Sequence, residues 1–416
     1  MQKVFIEELI KKAYSLGDNT LIGIGPMSEN VIESCMELAK ENNFPLMFIA
    51  SRNQIDLKRY GGGYVNGWDQ FDFVNNLSII ANKIGFWDYY VCRDHGGPWQ
   101  RDEERNAHLP VEEAMKIAKE SYKADIEAGF DLLMIDPTKD PFVKGKAVDM
   151  DFVIEKTVEL IEFCEIYRKK IKKERIAYEV GTEETNGGLT EINSYQDFLL
   201  RLGQTLESKR LPKPIFAVGQ TGTLVKSTIQ AGHFDFNMAK DLSNMAVKYD
   251  VYLKEHNADY LAESSLLEHI PARVSAANVA PEFGTTETRG YLKLCKVEEK
   301  LYDNGTIIEK ARLKDVLLKN TIKTGRWKKW VSTEKNELAY DKILENEKLA
   351  EEILDIAGHY VLDNEAVKKE GDKLFNNLKS VNIDGKEFIK KQIKGAIMRY
   401  VDCFNLKDLN EKINYR

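Results

Sequence analysis

The stretch from residue 89 to residue 135, YYVCRDHGGPWQRDEERNAHLPVEEAMKIAKESYKADIEAGFDLLMI, reads as a strand, a loop, a helix and a second strand. Tyr89–Cys92 and Leu132–Ile135 are short, near-continuous apolar runs, the pattern of strands buried on both faces of a parallel sheet. Between them, Val111–Ala128 repeats apolar residues at intervals of three and four, as an amphipathic helix does. The unit recurs on both sides. Further strands are expected at Leu21–Gly25, Pro45–Ala50, Ile176–Val180, Ile215–Val218, Val251–Leu253 and Arg273–Val279. Further helices are expected at Asn30–Glu41, Asp69–Ile84, Asp151 to about Lys170, Tyr195–Leu206, Asn237–Lys248, Ala258–Leu267 and Thr285–Leu301. Eight βα units in about 280 residues predict an α/β chain folded as a (β/α)8 TIM barrel. A doubly wound open sheet is the competing topology, because strand number alone does not prove closure. From about Asp303 the strand pattern stops, and Lys/Glu-rich helical segments follow at Ala339–Ile356, Asn364–Leu378 and Gly385–Tyr400. The expected division is residues 1–302 for the barrel with its N-terminal helix, and 303–416 for a helical extension packed on it as an oligomer surface or lid.

A chain of 416 residues can bury a large core, and a formal net charge of −7 gives no reason to expect nucleic acid as a partner. The basic run Lys169–Arg175 ends a helical pattern and reads as a solvated helix C-terminus, where cations suit the helix dipole. Five cysteines are scattered without CxxC spacing, which fits a reducing, cytoplasmic compartment. The first seventeen residues, MQKVFIEELIKKAYSLG, carry charges throughout an amphipathic helical pattern and are neither a signal peptide nor a membrane span.

Barrel active sites lie where the strands end and their βα loops begin. Those positions carry Asn53 and Gln54, then Gly61-Gly62-Gly63, after the second strand, and Arg93-Asp94-His95 after the third. Asp136 and Lys139 follow the fourth, and Glu179 and Glu183 follow at the fifth. Gly219-Gln220-Thr221-Gly222 and His233 come after the sixth, and His256, Asn257 and Asp259 after the seventh. Three of the six histidines, His95, His233 and His256, therefore fall at the expected rim. Neutral imidazole is the commonest zinc ligand, and three protein ligands leave a position open for catalysis. The other three, His108, His269 and His359, lie in or beside helices and call for no special role. Asp94 beside a metal-bound His95 suits a base for a substrate hydroxyl on the same ion, or equally an orienter of that histidine. The chemistry implied is carbon–carbon cleavage next to a carbonyl. Glu179, Glu183 and Asp136 are further carboxylates for proton transfer, with a buried ion pair as the plain reading of a strand-end glutamate. Arg93 or Lys139 suits an anionic substrate end. Asn53, Gln54, Gly62, Gly63, Asn257 and Asp259 are placed as substrate contacts, although glycines in a βα turn need no phosphate to explain them.

The segments SRNQ (51–54), GGGY (61–64), FVNNLSIIANKIGF (73–86), DHGGPW (94–99), IDP (135–137), YEVGTEETNGG (178–188), VYLKEHNADY (251–260), RWKKW (326–330) and MRYVDCF (398–404) occur here in that order. From about Leu21 to Phe404 the chain resembles the class II tagatose-bisphosphate aldolase subunits of the GatZ/KbaZ type. The resemblance implies a TIM barrel related to the zinc-dependent fructose- and tagatose-bisphosphate aldolases. It implies Asp94 as acid/base and His95, His233 and His256 as ligands of zinc or another divalent metal. Glu183 falls on the family's Gly-Thr-Glu, whereas Glu179 has no carboxylate counterpart. Arg93 stands where the family has glycine, APEFGTTETRGY follows the eighth strand in place of a GPALTF-like stretch, and no HGGSG-like phosphate loop follows His256. These departures bear on the substrate more than on the metal. The expected function is thus a zinc-dependent aldolase (a lyase), or a ketose 4-epimerase working by retro-aldol cleavage, on a ketose or ketose phosphate of the tagatose/fructose class. The alternative is a non-catalytic subunit that stabilises a separate catalytic aldolase. The expected partners are a sugar or sugar phosphate and either a second copy of the chain or that catalytic subunit, with no nucleic acid and no membrane.

Overall fold

The computed structural model describes residues 4–143, 147–182 and 188–414. Its eight barrel strands are β1 (Leu21–Ile24), β2 (Leu46–Ser51), β3 (Tyr89–Gly96), β4 (Leu132–Ile135), β5 (Ala177–Val180), β6 (Phe216–Val218), β7 (Tyr252–Glu255) and β8 (Ala276–Val279). They form a closed barrel in which each strand neighbours its sequence neighbours, and β8 pairs β1 in parallel from Leu21↔Ala276 to Ile24↔Val279. That seam removes both edges and excludes the open-sheet topology. β1, β4, β5, β6 and β8 are buried at every position, because one face packs the barrel interior and the other meets the helices.

The helices following the strands are Glu29–Asn42, Gln70–Ile84, Val111–Ala128, Met150–Lys170, Ile192–Ser208, Phe236–Val247, Glu263–Glu268 and Pro281–Asp303, with a short helix Asp102–Asn106 preceding the third of them. The helix expected over Ala258–Leu267 shrinks to Glu263–Glu268, because Asn257 and Tyr260 adopt left-handed backbone conformations. Helix Pro281–Asp303 begins earlier than its periodicity suggests. Proline occupies its first position, and Asp259 Oδ1 accepts the backbone N–H groups of Ala280 and Glu282, both at 2.9 Å. The sequence gives no warning of the two-stranded hairpin Val225–Lys226/Ile229–Gln230 after β6, or of the helix Leu313–Thr324.

The closing helix, Gly385–Cys403, packs along Pro281–Asp303 and Glu29–Asn42. Lys390 pairs with Glu37, Lys394 lies 2.9 Å from Glu37 and 3.0 Å from Glu41, and Arg399 lies 2.6 Å from Glu282. The amide of Thr20, just before β1, donates to the carbonyl of Phe404. All five cysteines are free thiols, four of them buried. Among the described residues, no helix is long and apolar enough to cross a membrane.

Candidate active site

Consecutive residues of a strand face opposite ways, so Asp94 and His95 cannot both reach the barrel mouth from a regular β3. The register between β3 and β4 shifts between Arg93 and Gly96, and His95 adopts φ 45°. This is a bulge that turns both side chains toward one point. The following glycines permit it. A Cβ on Gly96 would stand 2.5 Å from the Tyr122 hydroxyl, and one on Gly97, at φ 135°, would stand 2.6 Å from the carbonyl oxygen of Asp136.

His95 Nδ1 lies 2.6 Å from Asp136 Oδ2, at the end of β4. Burial works to raise the Asp136 carboxyl, but His95, Thr138 and Lys139 outweigh it and hold the group at about 2. An ionised Asp136 fixes the proton of His95 on Nδ1 and leaves Nε2 as the lone-pair nitrogen. His95 itself is raised, burial opposing and the charges of Asp94 and Asp136 prevailing.

A matching arrangement faces it from the other side of the barrel. His256 Nε2 lies 2.9 Å from Glu179 Oε1, and Glu179 Oε2 accepts from Lys254 Nζ at 2.6 Å. Burial would raise Glu179, but the Lys254 charge and the His256 hydrogen bond keep it low. The proton of His256 is thereby placed on Nε2, and Nδ1 turns to His95 Nε2 at 3.1 Å. The rings are perpendicular, with centroids 4.7 Å apart. Two unprotonated nitrogens facing each other would repel, and either a proton shared between them or a metal cation bound by both relieves that. Two imidazole ligands of a tetrahedral zinc, each at about 2.0–2.1 Å, stand about 3.3–3.4 Å apart, so the spacing found fits a shared ion. Asp94 completes the group: its Oδ2 is 3.9 Å from His95 Nε2, its Oδ1 is 3.8 Å from His256 Nε2, and the three side chains offer ligand atoms within 4.8 Å of one another. Asn278 Nδ2 donates to Asp94 Oδ1 at 3.0 Å, in space left by Gly23 of β1, whose added Cβ would stand 2.2 Å from Asn278 Oδ1.

Several expected site residues are placed elsewhere. His233 does not join the histidine pair. It is exposed, with its backbone N–H on the carbonyl of Gly222, because the hairpin after β6 intervenes. Arg93 is no substrate ligand here. Its buried guanidinium reaches Asp125 at 2.5 Å and the carbonyls of Ala50 and Ile55. The amides of Gly62 and Gly63 donate to the carbonyls of Leu57 and Trp68, so they form no phosphate cradle. Asp259 caps a helix, as described above. Gln54 folds back on the Ser51 amide, and Asn53 Oδ1 accepts from the Asp102 amide. Asn257 is half-buried with its carbonyl on Gln230, and Lys139 is half-buried three residues past Asp136. Glu183 lies outside the described residues. Lys254 and Asn278 belong to the cluster; sequence reasoning passed over the first and set the second at the end of the eighth strand without giving it a role. A lysine inside a strand enclosed on both faces is the signal that could have found the first.

The model of the family described as D-tagatose-1,6-bisphosphate aldolase subunit GatZ/KbaZ-like matches residues 6–402. The D-tagatose-1,6-bisphosphate aldolase subunit GatZ of Klebsiella oxytoca is 24% identical over 319 residues, 72% of each chain. Among solved structures, a protein described as a probable tagatose 6 phosphate kinase from Sinorhizobium meliloti superposes with a TM-score of 0.72 at 18% identity, over 92% of this chain and all of that one. The fructuronate-tagaturonate epimerase UxaE of Cohnella laeviribosi gives 0.55 at 12% identity, over 93% of this chain and 81% of that one. The fructose-bisphosphate aldolase of Campylobacter jejuni gives 0.53 at 11% identity, over 97% and 94%. At these identities the structures speak for the barrel alone, and it is the match over nearly the whole chain that places this protein in the GatZ/KbaZ-like family.

Proposed function

We propose that the chain is a class II aldolase-type enzyme, dependent on zinc or another divalent metal, that cleaves a ketose or ketose phosphate of the tagatose/fructose class or epimerises it by retro-aldol cleavage and rejoining. The observation that carries this reading is the pair of imidazoles fixed from behind by Asp136 and Glu179, their free nitrogens 3.1 Å apart and Asp94 beside both. His95 Nε2 and His256 Nδ1 would hold the ion. A divalent cation held there would supply Lewis acidity, making a nearby substrate hydroxyl easier to deprotonate and polarising the adjacent carbonyl. Asp94, held at one oxygen by Asn278, takes the hydroxyl proton as the carbon–carbon bond breaks, and returns it when the bond reforms. Glu183 is assigned the second proton transfer. Asp136 and Glu179 orient the histidines rather than meet substrate.

A second reading has two observations in its favour. His233, expected as third ligand, stands apart from the pair, and the family's description is that of an aldolase subunit. In that reading the chain stabilises a separate catalytic aldolase. The deciding experiment is metal analysis of the purified chain, followed by a panel of ketoses and ketose phosphates watched by NMR. The enzyme reading expects close to one metal ion per chain and turnover lost on chelation. A metal-free, inactive chain that raises the activity of an added catalytic aldolase would establish the accessory role instead.

A further inference from the structure

The segment RWKKW (326–330) of the extension lies at the barrel mouth, and its charges have no use in the chemistry above. The Arg326 guanidinium rests 5.1 Å from the ring centre of Tyr64, in the loop after β2, and 4.9 Å from that of Tyr360. Two aromatic faces fix its position while leaving its N–H groups at the edge, and among the described residues its guanidinium has neither an ion pair nor a hydrogen bond. Lys329 Nζ, one turn on, sits 5.0 Å over the Trp330 ring and likewise has no acid partner among the described residues. The nearby carboxylate is Asp102, and it is already taken by Arg105, which also donates to the Trp99 carbonyl at 2.6 Å. Lys139 faces the same space. Its charge acts on Asp102 and Lys329 on one side and on His95 and Asp136 on the other. Arg105, Arg326 and Lys329 thus gather about Asp102, more positive charge than that one carboxylate offsets. Such an excess is repulsive in the free chain and is relieved by an anion carrying several acceptor oxygens.

We infer that Arg326 and Lys329, with Lys139, form the subsite for the anionic end of the substrate, a phosphate ester or a carboxylate. The extension is then part of the binding site rather than a support for it. The inference rests on the ketose reading in one respect only, that the histidine pair marks the reacting end of the same molecule.

The test is calorimetric titration of the full chain, with and without added zinc. The ligands are the 6-phosphates of D-tagatose and D-fructose, the matching uronates tagaturonate and fructuronate, and the two free ketoses. The proteins are the parent, Arg326→Gln, Lys329→Gln, the double variant and, as control, Lys328→Gln. The parent should bind one anionic class at least tenfold more tightly than the free ketose, which identifies the anion. Each single substitution should weaken that class by about tenfold, the usual worth of a charge-assisted hydrogen bond, and leave the free ketose unchanged. The control should match the parent. Equal affinity of the parent for charged and neutral ketoses, no binding of any ligand, or a double variant that loses the neutral ketose equally would overturn the inference. Anion-selective binding that survives in a chain without turnover would uphold this subsite and count against the proposed reaction, so the two fail separately.

Discussion

Asp94 is the residue whose role the geometry leaves most open to experiment. It stands 3.8–3.9 Å from a nitrogen of each histidine, close enough to ligate an ion between them after a small shift and close enough to serve a hydroxyl bound there. Its Asn278 contact favours the second role, because one oxygen is held and the other remains for the proton. Asp94→Asn keeps the shape and a hydrogen-bonding oxygen but cannot take a proton at neutral pH. Activity should fall by roughly 10²–10⁴ with metal content unchanged, whereas His95→Ala should lose both. Loss of metal from Asp94→Asn would make Asp94 the third ligand, and near-normal turnover would move the base to Glu183. At this scale the sequence was legible where a rare residue stood at a strand end, as with His95 and His256. It misled at His233, because a hairpin of two-residue strands has too short a pattern to read. Arg93 and Asp259 misled for another reason: a strand-end charge looks the same whether it faces substrate or a buried partner, and the partners Asp125 and Glu282 are remote in sequence.

The strands and most helices were legible because periodicity is local, while the bulge in β3 depends on Tyr122 and Asp136 from other elements and could not be read. The junction between β8 and helix Pro281–Asp303 shows the same dependence in its energetics. Asp259 caps that helix from the β7 loop, and burial together with the Glu282 charge raises its carboxyl from the usual 3.8 to about 7 against the pull of the two backbone N–H groups. A carboxyl raised on folding binds its proton more tightly in the native state, so its contribution to stability is full below about pH 4 and is lost as the pH rises to about 7. Asp259→Asn retains the accepting oxygen and cannot ionise. Relative to the parent, the variant should therefore gain stability as pH rises through that window, as measured by urea unfolding at pH 4.5 and 8. A difference independent of pH would show that Asp259 does not titrate on folding, and that its cap works through the charge at both values.

For the whole molecule, alternation of strand and helix told the number of units, but only the β1–β8 seam told that they close. The extension was legible as helix and not as architecture, since an amphipathic pattern names a buried face without naming what covers it. The structure supplies the cover. Ile389, Ile393, Ile397 and Tyr400 of the closing helix are buried, Arg399 and Tyr400 both bond Glu282, and Phe404 receives the amide that precedes β1. The segment that follows the eighth unit thus fastens the seam where the barrel's first and last units meet. Truncation after Leu301 would uncover the apolar face of helices Glu29–Asn42 and Pro281–Asp303. It would also leave the largely buried Glu282 beside Asp259 without its half-buried arginine, a loss smaller than the roughly 3–5 kcal/mol that breaking a fully buried pair costs. The truncated chain should aggregate or melt well below the parent in size-exclusion and thermal-unfolding measurements. Arg399→Met, which removes only the charge, should show a smaller part of the same loss and remain monodisperse. If the truncated chain were instead soluble, monodisperse and as stable as the full protein, the extension would be an appendage and the anionic subsite would be left as its main role.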